Sequence, residues 1–293
     1  MSIGEALFQG IVQGLTEFLP VSSSGHLSLI QYFTGQNSEA GALFTILLHL
    51  GTLLAVFLAF HKTILRLVVE VFAMLRDVFT GKFSLKNMQP YRRMVVLLIV
   101  SLLPMALALV LLDFYEGLAI DNNLIAEGLC FLVTSALLFC SLRCKGRKTA
   151  KNMTYRDAIA VGTMQAIAPM PGISRSGSTI AVGLLCGLDR EFAIAFSFIM
   201  GVPTVIGANI LKIGDIARDG MSIPIPALIV GLVASLVFGL LAIRMVKWLA
   251  ASDKFKYFAW YTLVLGVAVL IIGIIEIAAG QPVRSAVMAA MGA

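Results

Sequence analysis

Charge is what this sequence lacks most. Asp, Glu, Lys and Arg make up 13% of its 293 residues, against about 25% in typical soluble domains. Apolar residues make up 59%, and the mean hydropathy is +0.95. Apolar runs of about 20 residues, the length that crosses a bilayer, recur along the chain. The composition therefore disfavours a soluble protein with a large core and indicates a polytopic membrane protein.

Other absences narrow the function class. Nothing in the sequence resembles a P-loop, a GxSxG nucleophile elbow or a zinc motif, which argues against nucleotide-driven pumping. The four cysteines form no CxxC pair, so we expect small buried apolar residues rather than metal ligands or disulfides. No basic segment precedes the first apolar stretch, and Glu5 and Glu17 interrupt it, so we expect no cleaved signal peptide.

The apolar stretches and the basic connections between them predict a topology. Most of the 22 Lys and Arg residues lie in three connections, 61–93, 143–156 and 244–256. Because basic loops stay in the cytoplasm, we expect these connections inside and both termini outside. Within the first connection, residues 64–79 are amphipathic and are expected to lie along the inner membrane surface. The six predicted spans are 41–60, 94–112, 124–142, 192–211, 224–243 and 258–275.

Two segments, 1–40 and 155–190, do not fit a simple span. Each contains an apolar stretch too short for the ~20 residues of a crossing helix, then a break rich in Pro, Gly and Ser, then a second short apolar stretch. Broken backbone at membrane depth is tolerated only where it lines protein or a water-filled cavity. We therefore expect each segment to form a re-entrant helical hairpin.

The two hairpins align without a gap at an offset of 152 residues, which predicts an internal repeat of about 1–60 and 155–211 in a single membrane domain. Three predicted spans separate the copies, and an odd number inverts the second copy. The tips PVSSSGH (20–26) and PGISRSGST (171–179) should then meet near the midplane, as in transporters with inverted repeats. The predicted fold is an all-α membrane protein with six transmembrane helices and two inverted re-entrant hairpins. The matched residues are Ala6, Gly10, Gln13, Ser22, Ser24 and Gly25 with Ala158, Gly162, Gln165, Ser174, Ser176 and Gly177.

The chemistry of the two tips favours a phosphate or diphosphate ligand. A helix beginning at either serine cluster points free N–H groups and its positive dipole end into the cavity. Gly25, Gly172 and Gly177 allow close approach of the backbone to a ligand. Arg175 adds a permanent cation whose planar guanidinium suits phosphate oxygens. The expected hydroxyl donors are Ser22, Ser23, Ser24, Ser174, Ser176, Ser178 and Thr179.

Arg175 needs an anionic partner, because an arginine at the bilayer midplane costs at least ~2.5 kcal/mol. The alternative to a phosphate ligand is a structural ion pair with Glu17. Glu17 itself could instead be a protonated, hydrogen-bonded helix residue.

The histidines also leave alternatives open. His26 follows Ser23 by three residues and Ser22 by four, so a helix would place it on the face of a hydroxyl. It could act as a base toward a serine, as an acid toward a leaving phosphate oxygen, or only pack the hairpin. His49, in the middle of the first predicted span, is either a helix–helix contact or a residue behind the site. We expect an aromatic belt at the cytoplasmic interface from Tyr257, Trp260 and Tyr261.

Two motifs carry a family resemblance. QGLTEFLPVSSSGH, in which Gln13 and Glu17 have the (E/Q)xxxE spacing, and PGISRSGST resemble the motifs of the bacitracin-resistance undecaprenyl-pyrophosphate phosphatases. The resemblance spans the whole chain in length, hydropathy and motif positions. It implies a multi-pass enzyme of the bacterial inner membrane that removes the terminal phosphate from undecaprenyl diphosphate. Such an enzyme recycles the lipid carrier of cell-wall synthesis.

The resemblance also assigns roles to individual residues. Glu17 matches a carboxylate proposed to bind a divalent metal, Mg²⁺ or Ca²⁺, or to position the substrate. Ser23 matches the proposed nucleophile and His26 its proton-transfer partner, although which of them attacks phosphorus stays open. Arg175 matches the phosphate-gripping part of the second motif. Gln13 fills a position often held by a first glutamate, which leaves one carboxylate fewer for a metal. The expected substrate-contacting residues are Gln13, Ser22, Ser24, Gly172, Ser174, Ser176 and Thr179.

The expected partners are a polyprenyl diphosphate lipid and the surrounding membrane lipid, with no nucleic acid. The sequence leaves open whether the protein forms a homodimer. The alternative function is a secondary transporter or lipid flippase, because inverted repeats with broken helices often serve alternating access. A purely structural scaffold would leave the intramembrane Arg175 unexplained.

Overall fold

The structure, a computed structural model, describes residues 2–34, 39–86, 88–106, 124–219, 223–251, 254–280 and 283. Within these ranges the chain forms ten helices and no strand beyond one isolated bridge between Lys148 and Leu188. The helices are α1 Ile3–Phe18, α2 Ser23–Thr34, α3 Glu39–Phe79, α4 Pro90–Leu102, α5 Ile125–Ser141, α6 Tyr155–Ile167, α7 Arg175–Leu185, α8 Arg190–Asp219, α9 Ile225–Ala251 and α10 Lys256–Ala279.

Two helical pairs, α1–α2 and α6–α7, occupy the segments predicted as hairpins. The first leg of each pair begins with a capping box, formed by Ser2 and Glu5 in α1 and by Thr154 and Asp157 in α6. The Asp157 carboxylate also accepts a hydrogen bond from Nζ of Lys148 at 2.9 Å. At 1.5 Å per residue the four legs are roughly 16 to 24 Å long, so none can cross a hydrocarbon core of about 30 Å.

Four helical segments are long and apolar enough to cross a membrane. They are Leu43–Phe79, Arg190–Ile210, Ile225–Leu249 and Lys256–Ala279, and they confirm four of the six predicted spans. Helix α5 covers the predicted span 124–142 but has 17 residues, slightly fewer than the ~20 of a typical crossing. Helix α4 covers only the first part of the predicted span 94–112, whose residues 107–112 lie outside the described residues.

The amphipathic stretch 64–79 is helical and follows a kink at the end of the first predicted span. Helix α3 continues through it and ends at Phe79, with one non-helical residue, Phe60, at φ −122° and ψ 20°. No Gly or Pro interrupts residues 61–79, so nothing in this stretch stops the helix after the kink. Beyond the kink, α3 is tied to α4 by an ion pair between Glu70 and Arg92, with 2.6 Å between Oε1 and Nε.

The main apolar core is built from α1 and α3 to α10 and includes an edge-to-face contact between Phe18 and Phe198 (centroids 5.1 Å apart). The outward faces are apolar as well. On α10, Val264 is 66% exposed and Ile277 is 62% exposed. A water-soluble surface rarely presents so continuous an apolar face. The described part of the chain is thus all-helical, with several helices long and apolar enough to span a membrane.

Candidate functional site

The tips of the two hairpins are in direct contact. The hydroxyl of Ser22 donates to the carbonyl of Ile173 at 3.3 Å, and the hydroxyl of Ser176 donates to the carbonyl of Leu19 at 3.1 Å. Each tip therefore donates a hydrogen bond to a backbone carbonyl of the other tip. The meeting of the two tips agrees with the sequence prediction.

Both tips begin their second helix in the same way. The hydroxyl of Ser22 accepts a hydrogen bond from the Gly25 N–H at 3.2 Å, and that of Ser174 accepts one from the Gly177 N–H at 3.0 Å. Ser22 adopts φ 68°, a left-handed conformation that is uncommon for serine. The tips approach so closely that a Cβ at Gly25 would lie 2.8 Å from the backbone nitrogen of Gly172. Any larger residue at this position would push the tips apart.

Glu17, at the end of α1, is the centre of a buried polar cluster. Its Oε2 accepts hydrogen bonds from the Ser23 hydroxyl at 2.6 Å and from Nε2 of Gln13 at 3.0 Å. Its Oε1 forms an ion pair with the guanidinium of Arg175. Nε2 of His49 lies 3.4 Å from Oε2. The structure thus brings Gln13, Glu17, Ser23 and Arg175 together, and it places His49 of α3 directly beside them.

Arg175 has a counter-ion in Glu17 and also faces an opening. Its side chain is 19% exposed, and it lies at a small recess between α3 and α8 that is lined largely by apolar residues. The guanidinium packs against Gly201 of α8, where an added Cβ would lie 2.8 Å from Cζ of Arg175. The ion pair that the sequence offered as an alternative is formed, but it involves the carboxylate that also binds Ser23, and the guanidinium remains accessible from the recess.

The cluster offers limited ligands for a divalent cation. Oε1 of Gln13 is buried without a hydrogen-bond partner, next to the Glu17 carboxylate. Across the described ranges, no three His, Cys, Asp or Glu side chains group closely enough to hold a metal. Mg²⁺ is often bound through one or two carboxylates and the phosphates of a substrate. Glu17 and Gln13 therefore fit a divalent ion when diphosphate oxygens complete its coordination.

His26 forms its hydrogen bonds outside the cluster. Its Nδ1 lies 2.7 Å from the carbonyl oxygen of Ser22, and its Nε2 lies 2.6 Å from the hydroxyl of Tyr261 on α10. The Ser23 hydroxyl instead donates to Glu17, because a carboxylate is the stronger acceptor. Ser23 is thus paired with Glu17 in this structure, and a role of His26 in proton transfer stays a prediction.

Comparison with known proteins places the chain in a family. Residues 6–268 match the family model described as bacitracin resistance protein BacA. The chain belongs to the BacA family. A relative from Alkaliphilus metalliredigens named undecaprenyl-diphosphatase is 37% identical over 278 residues, which is 94% of this chain and 100% of the relative. Proteins of the same name from Methanosphaera stadtmanae (38%, covering 94% and 99%) and Rubrobacter xylanophilus (40%, covering 90% and 96%) also match.

Several predicted ligand residues of this BacA-family chain contact their own tip or a neighbouring helix. The Thr179 hydroxyl donates to the Arg175 carbonyl at 2.7 Å and lies 2.6 Å from the Ser197 hydroxyl. Ser174 caps α7, and Ser24 lies 3.4 Å from the Ser22 hydroxyl. Gly172, at φ 94°, forms the turn before α7. These groups shape the site, and their direct contact with a ligand stays a prediction.

Two further residues of the BacA-family chain have roles that the sequence did not indicate. Thr134 of α5 donates to the Gly172 carbonyl and accepts from the Ser174 N–H, both at 2.9 Å, and so holds the second tip. A lone threonine in an apolar helix carries no signal for this role. Tyr261 was predicted as part of an aromatic belt, and only the fold reveals its contact with His26.

Proposed function

We propose that this BacA-family protein hydrolyses undecaprenyl diphosphate to undecaprenyl phosphate and inorganic phosphate, and so recycles the lipid carrier of cell-wall synthesis. The observation that carries the proposal is the buried cluster of Ser23, Glu17 and Arg175 where the tips meet. It combines a nucleophile, its proton acceptor and a phosphate-binding cation. Three relatives that align with at least 90% of the chain bear the name undecaprenyl-diphosphatase.

The geometry supports Ser23 as the nucleophile. Its hydroxyl oxygen would attack the terminal phosphorus while its proton passes to Oε2 of Glu17, 2.6 Å away. The bond from that phosphorus to the bridging oxygen breaks, and undecaprenyl phosphate leaves with the bonding electron pair. Water then attacks the phosphoserine, regenerates the serine hydroxyl and releases inorganic phosphate. Arg175 stabilises the negative charge on the phosphate oxygens in both steps.

The ion pair between Arg175 and Glu17 fits a resting state of this reaction. While the guanidinium holds the carboxylate, Glu17 is a weak proton acceptor. A diphosphate carries more negative charge than one carboxylate and offers bidentate oxygens, so it competes for Arg175. Movement of the guanidinium toward the substrate would release Oε1 of Glu17 and strengthen its basicity just when Ser23 must lose a proton.

We propose that Glu17 and Oε1 of Gln13 hold Mg²⁺ or Ca²⁺ together with diphosphate oxygens. A bound ion would supply Lewis-acid neutralisation of phosphate charge. The support is the unpaired buried oxygen of Gln13 beside the carboxylate. If the assignment holds, Gln13→Leu should raise the metal concentration that gives half-maximal phosphate release. An unchanged metal dependence would contradict it.

For the membrane arrangement, we propose six spans with the pairs α1–α2 and α6–α7 entering from opposite faces as inverted copies. Both termini would lie on the outer side of the bacterial inner membrane. The short legs, the contact between the tips and the basic connections support this arrangement. Ser2→Cys should react with an impermeant thiol reagent added outside intact cells. Labelling only after permeabilisation would overturn the orientation.

The activity is tested by phosphate release from undecaprenyl diphosphate in detergent micelles. Arg175→Ala should lower kcat/KM by about 10³-fold, the loss typical of removing a main transition-state donor. Arg156→Ala, an exposed arginine on the same hairpin, serves as the matched control and should keep its activity. Wild-type turnover in folded Arg175→Ala protein would refute the proposal.

The transporter alternative is not favoured by the comparisons, since the matched relatives named here are diphosphatases. A carrier also needs no hydroxyl hydrogen-bonded to a carboxylate. Ser23→Ala protein in proteoliposomes separates the two functions, because it should neither release phosphate nor move lipid between leaflets.

A further inference from the structure

His26 is held by contacts on three sides. Nδ1 lies 2.7 Å from the Ser22 carbonyl oxygen, and Nε2 lies 2.6 Å from the Tyr261 hydroxyl. The Phe131 ring of α5 meets the imidazole edge to face, with centroids 5.6 Å apart and an interplanar angle of 89°. The rings of His26 and Tyr261 are almost parallel, at 8°. The imidazole thus has a fixed orientation between α2, α5 and α10.

The hydrogen bonds define the tautomer. A carbonyl oxygen can only accept a hydrogen bond, so the proton of a neutral imidazole is on Nδ1. Nε2 then carries the lone pair, and the Tyr261 hydroxyl donates to it. A phenol that donates to the lone pair favours the neutral imidazole over the imidazolium. His26 is therefore arranged as a proton acceptor through Nε2, not as a proton donor.

We propose that Tyr261 is a positioning residue for His26, which it holds with Nε2 as a base for the reaction. The inference rests on the proposed function, in which water must lose a proton when it attacks the phosphoserine. The proton would pass from that water to Nε2 of His26, and the water oxygen would form the new bond to phosphorus. The bond from phosphorus to the Ser23 oxygen would break, and that oxygen would leave with the electron pair and take back the proton held by Oε2 of Glu17. The Tyr261 hydroxyl has to yield its hydrogen bond to Nε2 for this transfer, as an exposed side chain at the edge of the site can do.

Tyr261→Phe removes the hydroxyl and keeps the ring that packs on His26. We expect kcat for phosphate release to fall about tenfold, a fraction of the 10²- to 10⁴-fold typical of a general base, with little change in KM. Tyr257→Phe is the matched control, one turn earlier on α10 and exposed, and it should behave as wild type. In a His26→Gln background, Tyr261→Phe should have no further effect, because its influence passes through the imidazole.

A second measurement does not depend on turnover. Diethylpyrocarbonate acylates an unprotonated imidazole nitrogen, and mass spectrometry can follow each histidine separately. In Tyr261→Phe protein, His26 should react several-fold faster than in wild type, since its Nε2 is no longer covered. His61 on α3, exposed and with Nδ1 likewise bonded to a backbone carbonyl, is the internal control and should keep its rate.

Three results would overturn the inference. They are unchanged kcat in Tyr261→Phe, an equal loss from Tyr261→Phe in the wild-type and His26→Gln backgrounds, or an unchanged rate of His26 modification. If wild-type protein releases no phosphate from undecaprenyl diphosphate, the proposed function falls. Faster modification of His26 in Tyr261→Phe would then still show that the contact orients the imidazole, so the two failures are distinguishable.

Discussion

A methyl group at position 201 is the smallest change that would separate Arg175 from Glu17 without removing either side chain. Gly201 lies on α8 against the guanidinium, and a Cβ there would lie 2.8 Å from Cζ of Arg175. The same Cβ would overlap Nη1 of Arg175 outright. Normal contacts between such heavy atoms are about 3.5–4.0 Å, so the end of the guanidinium must retreat by about 2 Å. The end of an arginine side chain can move that far without disturbing the backbone. Gly201→Ala should therefore fold normally and yet misplace the cation.

The expected loss follows from this displacement. A misplacement of about 1 Å in a positioning group can cost 10²-fold in rate, which corresponds to about 2.7 kcal/mol in the activation barrier. Alanine also has the higher helix propensity, by about 0.8–1.0 kcal/mol. We therefore expect kcat/KM to fall by at least about 10²-fold in a protein that still folds, because the gain in helix propensity offsets part of the cost of disturbing the ion pair.

The control is Gly207→Ala, six residues later on the same helix, where an added Cβ meets nothing within 4 Å. It receives the same gain in helix propensity and should keep wild-type activity. Phosphate release in detergent and thermal unfolding followed by tryptophan fluorescence would be measured for both variants. Equal activity of the two alanine variants would refute the claim that the position of Arg175 limits the reaction.

Two further substitutions test the scaffold around the site. Thr134→Val removes the hydroxyl that joins the Gly172 carbonyl to the Ser174 N–H. It should destabilise the protein by about 1–3 kcal/mol and reduce its activity. The control is Thr163→Val, whose exposed hydroxyl bonds within its own helix, and equal unfolding temperatures of the two variants would contradict the role of Thr134. Tyr32→Phe removes the donor to the buried Glu276 at the far end of α2 from Ser23 and should lower stability by about 1–3 kcal/mol while kcat stays unchanged. A large loss of kcat in Tyr32→Phe would mean that this end of α2 is coupled to the site.

The residues of the central cluster were predictable because a membrane sequence makes them conspicuous. Glu17 and Arg175 are costly in an apolar environment, so the cost of burial alone requires a partner or a ligand for each of them. The repeated serine and glycine pattern then indicates which two segments meet. Hydropathy also predicted the long spans, because their apolar runs of about 20 residues are longer than those of a helix buried in a soluble core.

Contacts that depend on the relative rotation of helices could not be predicted in this way. Helical spacing allowed His26 to face Ser23, but the choice between Ser23 and Tyr261 as partner depends on where α10 packs. The kink of α3 at Phe60 agrees with the predicted end of the first span, but the angle between the two parts of the helix was not predictable. The amphipathic pattern of 64–79 shows that a helix forms, but not whether it is joined to the preceding one.

The reciprocal bonds between the tips also have a consequence for synthesis. Residues that complete the pocket are contributed by α1 and α7, which are far apart along the chain. Until the second tip and α7 have been made and inserted, Glu17 lacks its counter-ion Arg175, and the Ser22 hydroxyl lacks its acceptor, the Ile173 carbonyl. A nascent chain released before residue 185 would therefore carry the nucleophile without a pocket, and catalytic competence should arise in one late step of biogenesis.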